Sequence, residues 1–287
     1  MSNQFQSLKL KLINVGYNKL DHNWNFDNVI SPFTRLYLIT KGDAYVYHNK
    51  RKFHLRPNNM YLIPSYTYSS YKCHLKHEQY YISFFEELGS GLSIYNFMNF
   101  KYEVKASELD KVCFERLVAL NSNRHLINYD PEHYDNYPVL LSFEKKNTEL
   151  SASNYLETHG IIKLLMSKFI DTNTLSGKLN NANLDRVLYY ISENLHENLT
   201  LTILADYCNM SKDHFSRSFK KYYGLRPTKY IQNRRLERFL LLLITTNYSV
   251  REIAHKIGFE NYTYFLRYFK ERIGKTPAEF RKERMIV

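Results

Sequence analysis

Apolar residues follow two different periods along the chain, and the change of period divides it into two halves. Before residue 107, short apolar runs at 36–39, 44–47 and 60–63 alternate with Gly, Asn and Pro residues that favour turns. Short, closely spaced runs of this kind are typical of small antiparallel barrels and sandwiches. The N-terminal half is therefore predicted to be a small antiparallel barrel or sandwich.

Helical spacing begins at Ser107, which suits a helix N-cap. Apolar residues recur every three or four positions through 107–122 and again through 155–170, whereas 124–150 contain prolines and many polar groups and are predicted to be mainly loop. The strongest helical periodicity follows residue 183. The two patterns together predict an α+β multidomain chain, with helices flanking the barrel and an all-α C-terminal domain of about seven helices.

One segment of the C-terminal half occurs twice. Residues 216–227 read Ser-Arg-Ser-Phe-Lys-Lys-Tyr-Tyr-Gly-Leu-Arg-Pro, and residues 266–277 read Leu-Arg-Tyr-Phe-Lys-Glu-Arg-Ile-Gly-Lys-Thr-Pro. Arg, Phe, Lys, Gly and Pro stand at matching positions in the two copies. Two copies are too few for a solenoid, so the repeat indicates two similar units within one domain.

Each copy of the repeat follows a short predicted helix and a turn residue. The turn residue is Asn209 in the first copy and Gly258 in the second, and both tolerate a left-handed backbone. A helix, a tight turn and a second helix form a helix-turn-helix, so reading helices are predicted near 212–222 and 261–273. A predicted helix at 229–245 spans roughly 25 Å between them, which suits successive major grooves about 34 Å apart.

The charge distribution links the repeat to a polyanion. Residues 182–287 contain 19 Lys or Arg and 11 Asp or Glu, so they carry most of the formal net charge of +12. Residues 171–182 are polar and are predicted to be a linker. We therefore divide the chain into a small antiparallel barrel or sandwich at 1–106, a helical dimerisation or packing region at 107–170, this linker, and a DNA-binding domain at 183–287.

Motifs around the second copy of the repeat indicate a family. They are Ile-Ala at 253–254, Ile-Gly-Phe at 257–259, Tyr-Phe at 264–265, Arg267, Phe-Lys at 269–270 and Gly-Lys-Thr-Pro-Ala-Glu-Phe-Arg at 274–281. With these motifs, residues 183–287 resemble the DNA-binding domain of the AraC/XylS family of bacterial transcription regulators. The resemblance implies binding to double-stranded promoter DNA, contact with RNA polymerase, and homodimers.

The resemblance also implies which side chains face DNA. Arg217 and Arg267 are the first choices, because a guanidinium can bind guanine O6 and N7 bidentately. The residues expected to read bases are Asp213, Ser216, Arg217, Tyr262, Thr263, Leu266 and Arg267. The residues expected to contact phosphates are Lys212, Lys220, Lys221, Lys270 and Arg272.

The turn spacing of the N-terminal half resembles the cupin barrel, whose metal ligands can be checked by position. With Gly42 as the first glycine of the cupin pattern, Arg35 stands at the glutamate position, residues 30–31 replace the histidine pair, and residues 67–68 replace the last histidine. No metal and no other cofactor is therefore predicted. The resemblance implies that residues 1–106 form a cupin-like effector-binding barrel, whose interior could still hold a small effector. The candidate pocket walls, which are equally suited to plain packing, are Tyr37, Tyr45, Tyr61, Tyr66 and Tyr68.

The leading hypothesis is a sequence-specific transcription regulator, an activator whose barrel senses a small molecule. One alternative is a DNA-bound dimerisation module without an effector. Another is a cupin enzyme tethered to DNA, but the missing metal ligands and the absence of a clustered nucleophile, phosphate loop or carboxylate pair favour a protein that is not an enzyme.

Three widely spaced cysteines predict buried free thiols, and the lack of an apolar leader predicts a cytoplasmic protein. The helices at 107–122 and 155–170 are the expected dimer surface.

Overall fold

The computed structural model describes residues 8–48, 51–87, 93–96, 99–135, 137–171 and 182–285. The chain divides into two compact units, one formed by Lys9–Glu86 with Phe100–Asp171 and the other centred on the C-terminal helices. The predicted linker at 171–182 lies, apart from its two end residues, outside the described residues. No helix in the described ranges has the length and hydropathy needed to cross a membrane.

The first unit is built on one antiparallel sheet. Its strands are β1 (Lys9–Asp21), β2 (Phe26–Val29), β3 (Thr34–His48), β4 (Arg51–Leu55), β5 (Asn59–Ile63), β6 (Ser69–Glu87) and β7 (Glu103–Lys105). The long strand β3 pairs with β6 along one edge, and with β5 and then β4 along the other. The apolar runs that predict strands at 36–39 and 44–47 are the two halves of β3, and the run at 60–63 lies in β5.

Among the described residues of the first unit, four α-helices follow the sheet. They are α1 (Glu108–Leu120), α2 (Pro131–Tyr134), α3 (Tyr137–Thr148) and α4 (Ala152–Ser167). The Ser107 hydroxyl caps α1 by accepting a hydrogen bond from the Asp110 N–H, and the Asp110 carboxylate accepts one from the Ser107 N–H. The predicted loop at 124–150 is wrong for most of its length. Pro138 lies in the first turn of α3, where proline is tolerated, and Leu140 and Phe143 are buried.

The sheet does not close among the described strands. The pairing order is β1-β6-β3-β5-β7, with β2 attached to β6 and β4 attached to β3, so the path has two ends. Helices α1, α3 and α4 pack against β1 at one end, and β7, at the other end, is only three residues long. The predicted antiparallel sheet with flanking helices is confirmed, but the sheet is open because helices rather than a further strand cover the β1 end.

The inner face of the sheet is lined by aromatic side chains. Trp24 lies at its centre, with ring centroids 4.9 Å from Tyr71 and 5.6 Å from His77. His77 is fully buried, and burial lowers the pKa of its imidazole. Leu126 and Tyr129, from the segment before α2, pack onto the same cluster. The segment between α1 and α2 therefore helps to cover the inner face.

A buried ion pair fastens the end of α2 to β3. The Arg35 side chain is 2% exposed and the Asp135 side chain 0% exposed, and Nη2 of Arg35 lies 3.2 Å from Oδ2 of Asp135. The Ser31 hydroxyl contacts both groups. The guanidinium also lies 5.0 Å from the ring of Phe33 and 5.7 Å from that of Tyr134. The arginine at the cupin glutamate position is thus neutralised by a carboxylate from a distant part of the chain.

The second unit contains the C-terminal helices. They are α5 (Ala182–Glu193), α6 (Leu201–Tyr207), α7 (Lys212–Tyr223), α8 (Pro227–Thr245), α9 (Val250–Lys256), α10 (Tyr262–Ile273) and α11 (Pro277–Met285). These helices confirm the predicted all-α domain of about seven helices. Cys208 is buried here, as are Cys73 and Cys113 in the first unit, and all three thiols are free as predicted.

Candidate nucleic-acid interface

The first reading head is the helix-turn-helix formed by α6 and α7. The Thr200 hydroxyl oxygen accepts a hydrogen bond from the Ile203 N–H at the start of α6, and the Ser211 hydroxyl accepts one from the His214 N–H at the start of α7. In the turn, Asn209 adopts a φ of 53°, a conformation that asparagine tolerates. The predicted turn is confirmed, and α7 matches the predicted reading helix to within one residue.

The second reading head is the helix-turn-helix formed by α9 and α10. Ser249 and Glu252 form a capping box, in which the Ser249 N–H donates to the Glu252 carboxylate at 2.7 Å. The hydrogen bonds from Ser249 lower the pKa of the Glu252 carboxyl. Gly258 occupies the turn with a φ of 84°, and the Asn261 side chain accepts a hydrogen bond from the Tyr264 N–H at 2.8 Å. Both heads therefore use side-chain N-caps on their helices and a residue with positive φ in the turn.

Helix α8 packs one aromatic side chain against each reading helix. The ring of Tyr230 lies 5.4 Å from that of Phe219 on α7. At the other end of α8, the ring of Phe239 lies 4.5 Å from that of Phe265 and 5.3 Å from that of Phe269 on α10. Apart from Tyr230, which is 4% exposed, these side chains are fully buried. Because buried aromatic packing has a specific geometry, α8 sets the relative placement of the two reading helices.

The opposite face of each reading helix carries the residues predicted to read bases. On α7, Asp213 and Arg217 are exposed and Ser216 is half-buried. On α10, Thr263 and Arg267 are exposed, while Tyr262 and Leu266 are half-buried. The residues predicted to contact phosphates are all exposed, namely Lys212, Lys220, Lys221, Lys270 and Arg272. The structure brings the base-reading set of each helix to one face. Lys270 and Arg272 lie on opposite sides of α10, and Arg272 donates a hydrogen bond to Asn233 of α8 at 3.4 Å. The base and phosphate roles stay predictions.

Tyr262 differs from the other predicted base-reading residues because its ring takes part in packing. The ring centroid lies 6.4 Å from that of Phe265, and the Arg251 guanidinium of α9 lies 5.5 Å from it. These contacts join α9 to the first turn of α10. Tyr262 can therefore serve to hold α9 and α10 together, which is an alternative to its predicted contact with a base.

Contacts between α8 and α10 add residues that the sequence patterns do not identify. Gln232 of α8 donates a hydrogen bond to the Tyr264 hydroxyl at 3.0 Å. The Lys229 ammonium lies 5.3 Å from the centroid of the Tyr268 ring. Burial, together with the charge of Arg272, lowers the pKa of Lys229. Of these residues, only Tyr264 belongs to a motif named in the sequence, and its place three residues before Arg267 puts both on one side of a helix.

Gly258 is enclosed by groups that fix the second reading head to the end of α5. Arg235 of α8 donates hydrogen bonds to the Leu195 carbonyl at 2.9 Å and to the Glu197 carbonyl at 2.7 Å. A Cβ atom at Gly258 would lie 2.5 Å from the Leu195 carbonyl oxygen and 2.7 Å from the Arg235 guanidinium. The turn therefore requires glycine for its space as well as for its positive φ.

We expect Gly258→Ala to destabilise the C-terminal domain by about 3 kcal/mol, because a strained backbone and a clash with a backbone oxygen act together. Thermal unfolding followed by helical circular dichroism measures the loss. Gly224→Ala is the matched control, since Gly224 has a similar φ of 76° and no atom within 4 Å of its Cβ position. Equal losses in the two variants would contradict the role given to the enclosure around Gly258.

The tyrosines predicted to line an effector pocket do not form one cluster. Tyr37 and Tyr61 lie in the aromatic core on the inner face of the sheet. Tyr45 alternates with the core residues of β3, so it points to the opposite face, where its ring stacks 4.8 Å from that of His54. Tyr66, with a φ of 54°, and the exposed Tyr68 lie between β5 and β6. The buried aromatic residues of this core that the prediction omits are Trp24, Tyr71 and Tyr81.

Comparisons with known proteins assign the C-terminal domain. Residues 204–283 match the family described as a helix-turn-helix domain. The chain is 42% identical over 98 residues to the bifunctional transcriptional activator and DNA repair enzyme AdaA of Bacillus subtilis, which is 34% of this chain and 46% of AdaA. It is 32% identical over 99 residues to the MmsAB operon regulatory protein of Pseudomonas aeruginosa, again 34% of this chain and 32% of that protein. The chain thus spans less than half the length of these relatives.

A structural comparison covers both halves of the chain. The crystal structure of ToxT from Vibrio cholerae matches with a TM-score of 0.53 at 12% sequence identity, over 98% of this chain and 100% of ToxT. At this identity the match shows a shared fold. The two capped helix-turn-helix units, the equal spacing of their turns and the family match over 204–283 show that the C-terminal part of the chain carries a double helix-turn-helix domain of the AraC type.

Proposed function

We propose that the chain is a sequence-specific transcription regulator that reads two successive major grooves through α7 and α10. The observation that carries this proposal is the equivalent exposure of Arg217 and Arg267 on two reading helices packed against the same helix, α8. Surrounding lysines would neutralise phosphates and set the register on the duplex. In this reading the chain acts by binding in the cytoplasm and is not an enzyme, although AdaA combines activation with DNA repair.

A footprint on a duplex selected from random sequence tests the two-groove proposal. We expect two protected major-groove segments about one helical turn apart for each protomer, because α8 holds the two reading helices on one domain. Methylation of guanine N7 in either segment should interfere with binding. Protection of a single segment, or of a continuous minor-groove track, would contradict the proposal.

The sheet unit is proposed to receive a small effector. Its inner face is aromatic and is covered in part by the segment before α2, and the structure of ToxT, which shares the fold, has been solved with an unsaturated fatty acid bound. Tyr37 and Tyr61 are the members of the predicted set that lie on this face. The domain boundaries stated from the sequence, including the linker at 171–182, remain part of this proposal.

Homodimerisation is proposed to use the outer surface of α1 and α4. These helices pack on each other, with Nε of Arg116 2.6 Å from Oε1 of Glu157. Leu109, Val112 and Leu156 remain more than half exposed on them, and exposed apolar side chains of this kind favour an interface. RNA polymerase is the proposed partner for activation.

A further inference from the structure

Tyr264 joins the arginine of the second reading helix to the neighbouring helix α8. Its hydroxyl accepts the hydrogen bond from Gln232, and its ring is nearly parallel to that of Tyr268, with an interplanar angle of 17° and a centroid distance of 6.2 Å. The Arg267 guanidinium carbon lies 5.9 Å from the centroid of the Tyr264 ring. The ring is thus fixed on one side by α8 and by α10 itself, and it offers its π system to a cation on the other.

The first reading head has no equivalent arrangement. His214 stands at the place that corresponds to Tyr264, three residues before Arg217. Within the described residues, neither the His214 nor the Arg217 side chain makes a hydrogen bond, an ion pair or a ring contact. Both side chains are exposed. The two arginines are therefore presented to solvent at matching positions but with different restraint.

We propose that Tyr264 is a positioning residue that pre-orients the Arg267 guanidinium, so that the half-site under α10 is read more strictly than the half-site under α7. An arginine that is already held in place loses less side-chain freedom when it binds a base edge. The bidentate fit to guanine gains from this restraint, whereas a contact to a phosphate, which tolerates many orientations, gains little. The inference rests on the proposed base reading by α10 and assigns a source of its specificity.

The experiment uses the full chain and the selected duplex, together with two further duplexes in which the guanine of one or the other half-site is replaced by adenine. The ratio of Kd values for replaced and intact duplexes gives the discrimination at each half-site. Tyr264→Ala removes the ring, Tyr264→Phe keeps the ring and removes the bond to Gln232, and Gln232→Ala removes the same bond from the other side. His214→Ala is the matched control in the first head.

We expect Tyr264→Ala to lower the discrimination at the α10 half-site by about 2- to 5-fold, the range of an exposed cation–π contact. Discrimination at the α7 half-site should stay within about 2-fold. Tyr264→Phe and Gln232→Ala should each give a smaller loss at the same half-site, because the ring remains. His214→Ala should change neither ratio.

Two outcomes would overturn the inference. If Tyr264→Phe and Tyr264→Ala weaken binding to all three duplexes equally, the Tyr264 hydroxyl contacts the DNA backbone rather than positioning Arg267. If the ratio at the α10 half-site is unchanged in Tyr264→Ala while the variant melts at the wild-type temperature, the ring does not restrain the arginine. A wild-type protein that ignores both guanine replacements would instead contradict the proposed base reading itself, before any variant is compared.

Discussion

Asp135→Ala is expected to destabilise the sheet unit by about 3–5 kcal/mol, because it leaves the Arg35 guanidinium buried without its counter-charge. Both side chains of the pair are almost fully buried. The unfolding of this unit is easy to follow, because Trp24 is the only tryptophan of the chain and lies in the core of this unit. Urea denaturation monitored by tryptophan fluorescence therefore reports the unfolding of the sheet unit alone.

Two comparisons show whether burial causes the loss. Asp27→Ala breaks an ion pair with Lys72 in which Asp27 is 62% exposed, and should cost less than about 1 kcal/mol. The double variant Arg35→Met with Asp135→Ala removes both charges and should recover much of the loss, since buried ion pairs can be replaced by apolar side chains. A loss no larger than that of Asp27→Ala, or no recovery in the double variant, would show that the pair does not hold this region.

The helix-turn-helix units are predictable from the sequence because their determinants are local. Serine caps, a glycine or asparagine in each turn and aromatic residues four positions apart all act within about two helical turns. Helix α7 begins directly after Ser211, at its predicted start, and α10 begins within one residue of its predicted start. Local chemistry therefore defines both the reading helices and the face that each turns outward.

The rest of the fold depends on contacts between distant residues, which periodicity does not contain. Arg35 can be recognised in the sequence as a replacement for a cupin ligand, but its partner Asp135 lies 100 residues away. Whether the sheet closes depends in the same way on which element covers β1. Helix α3 is missed by the sequence pattern because the proline in its first turn resembles a loop signal. In the candidate interface, the bond between Gln232 and Tyr264 spans 32 residues, so no helical pattern reveals it.

Arg217→Ala and Arg267→Ala are each expected to raise the Kd for the selected duplex by about 5- to 150-fold, which corresponds to the 1–3 kcal/mol of a bidentate contact with guanine. Binding to random duplexes should weaken much less, because each variant removes one charge among many around the two reading helices. Competition titrations against the selected and random duplexes at fixed salt measure both effects.

Lys220→Ala and Lys270→Ala are the matched controls, since each lysine is exposed on the same helix one turn beyond its arginine. These variants should weaken binding to selected and random duplexes alike and reduce the slope of log K against log salt by about 1. Replacing the guanine of one half-site should abolish the effect of the arginine variant in that head and leave the effect of the other unchanged, because a contact that is already lost cannot be lost again. Equal losses on selected and random duplexes for the arginine variants would show that α7 and α10 contact the backbone and do not read bases.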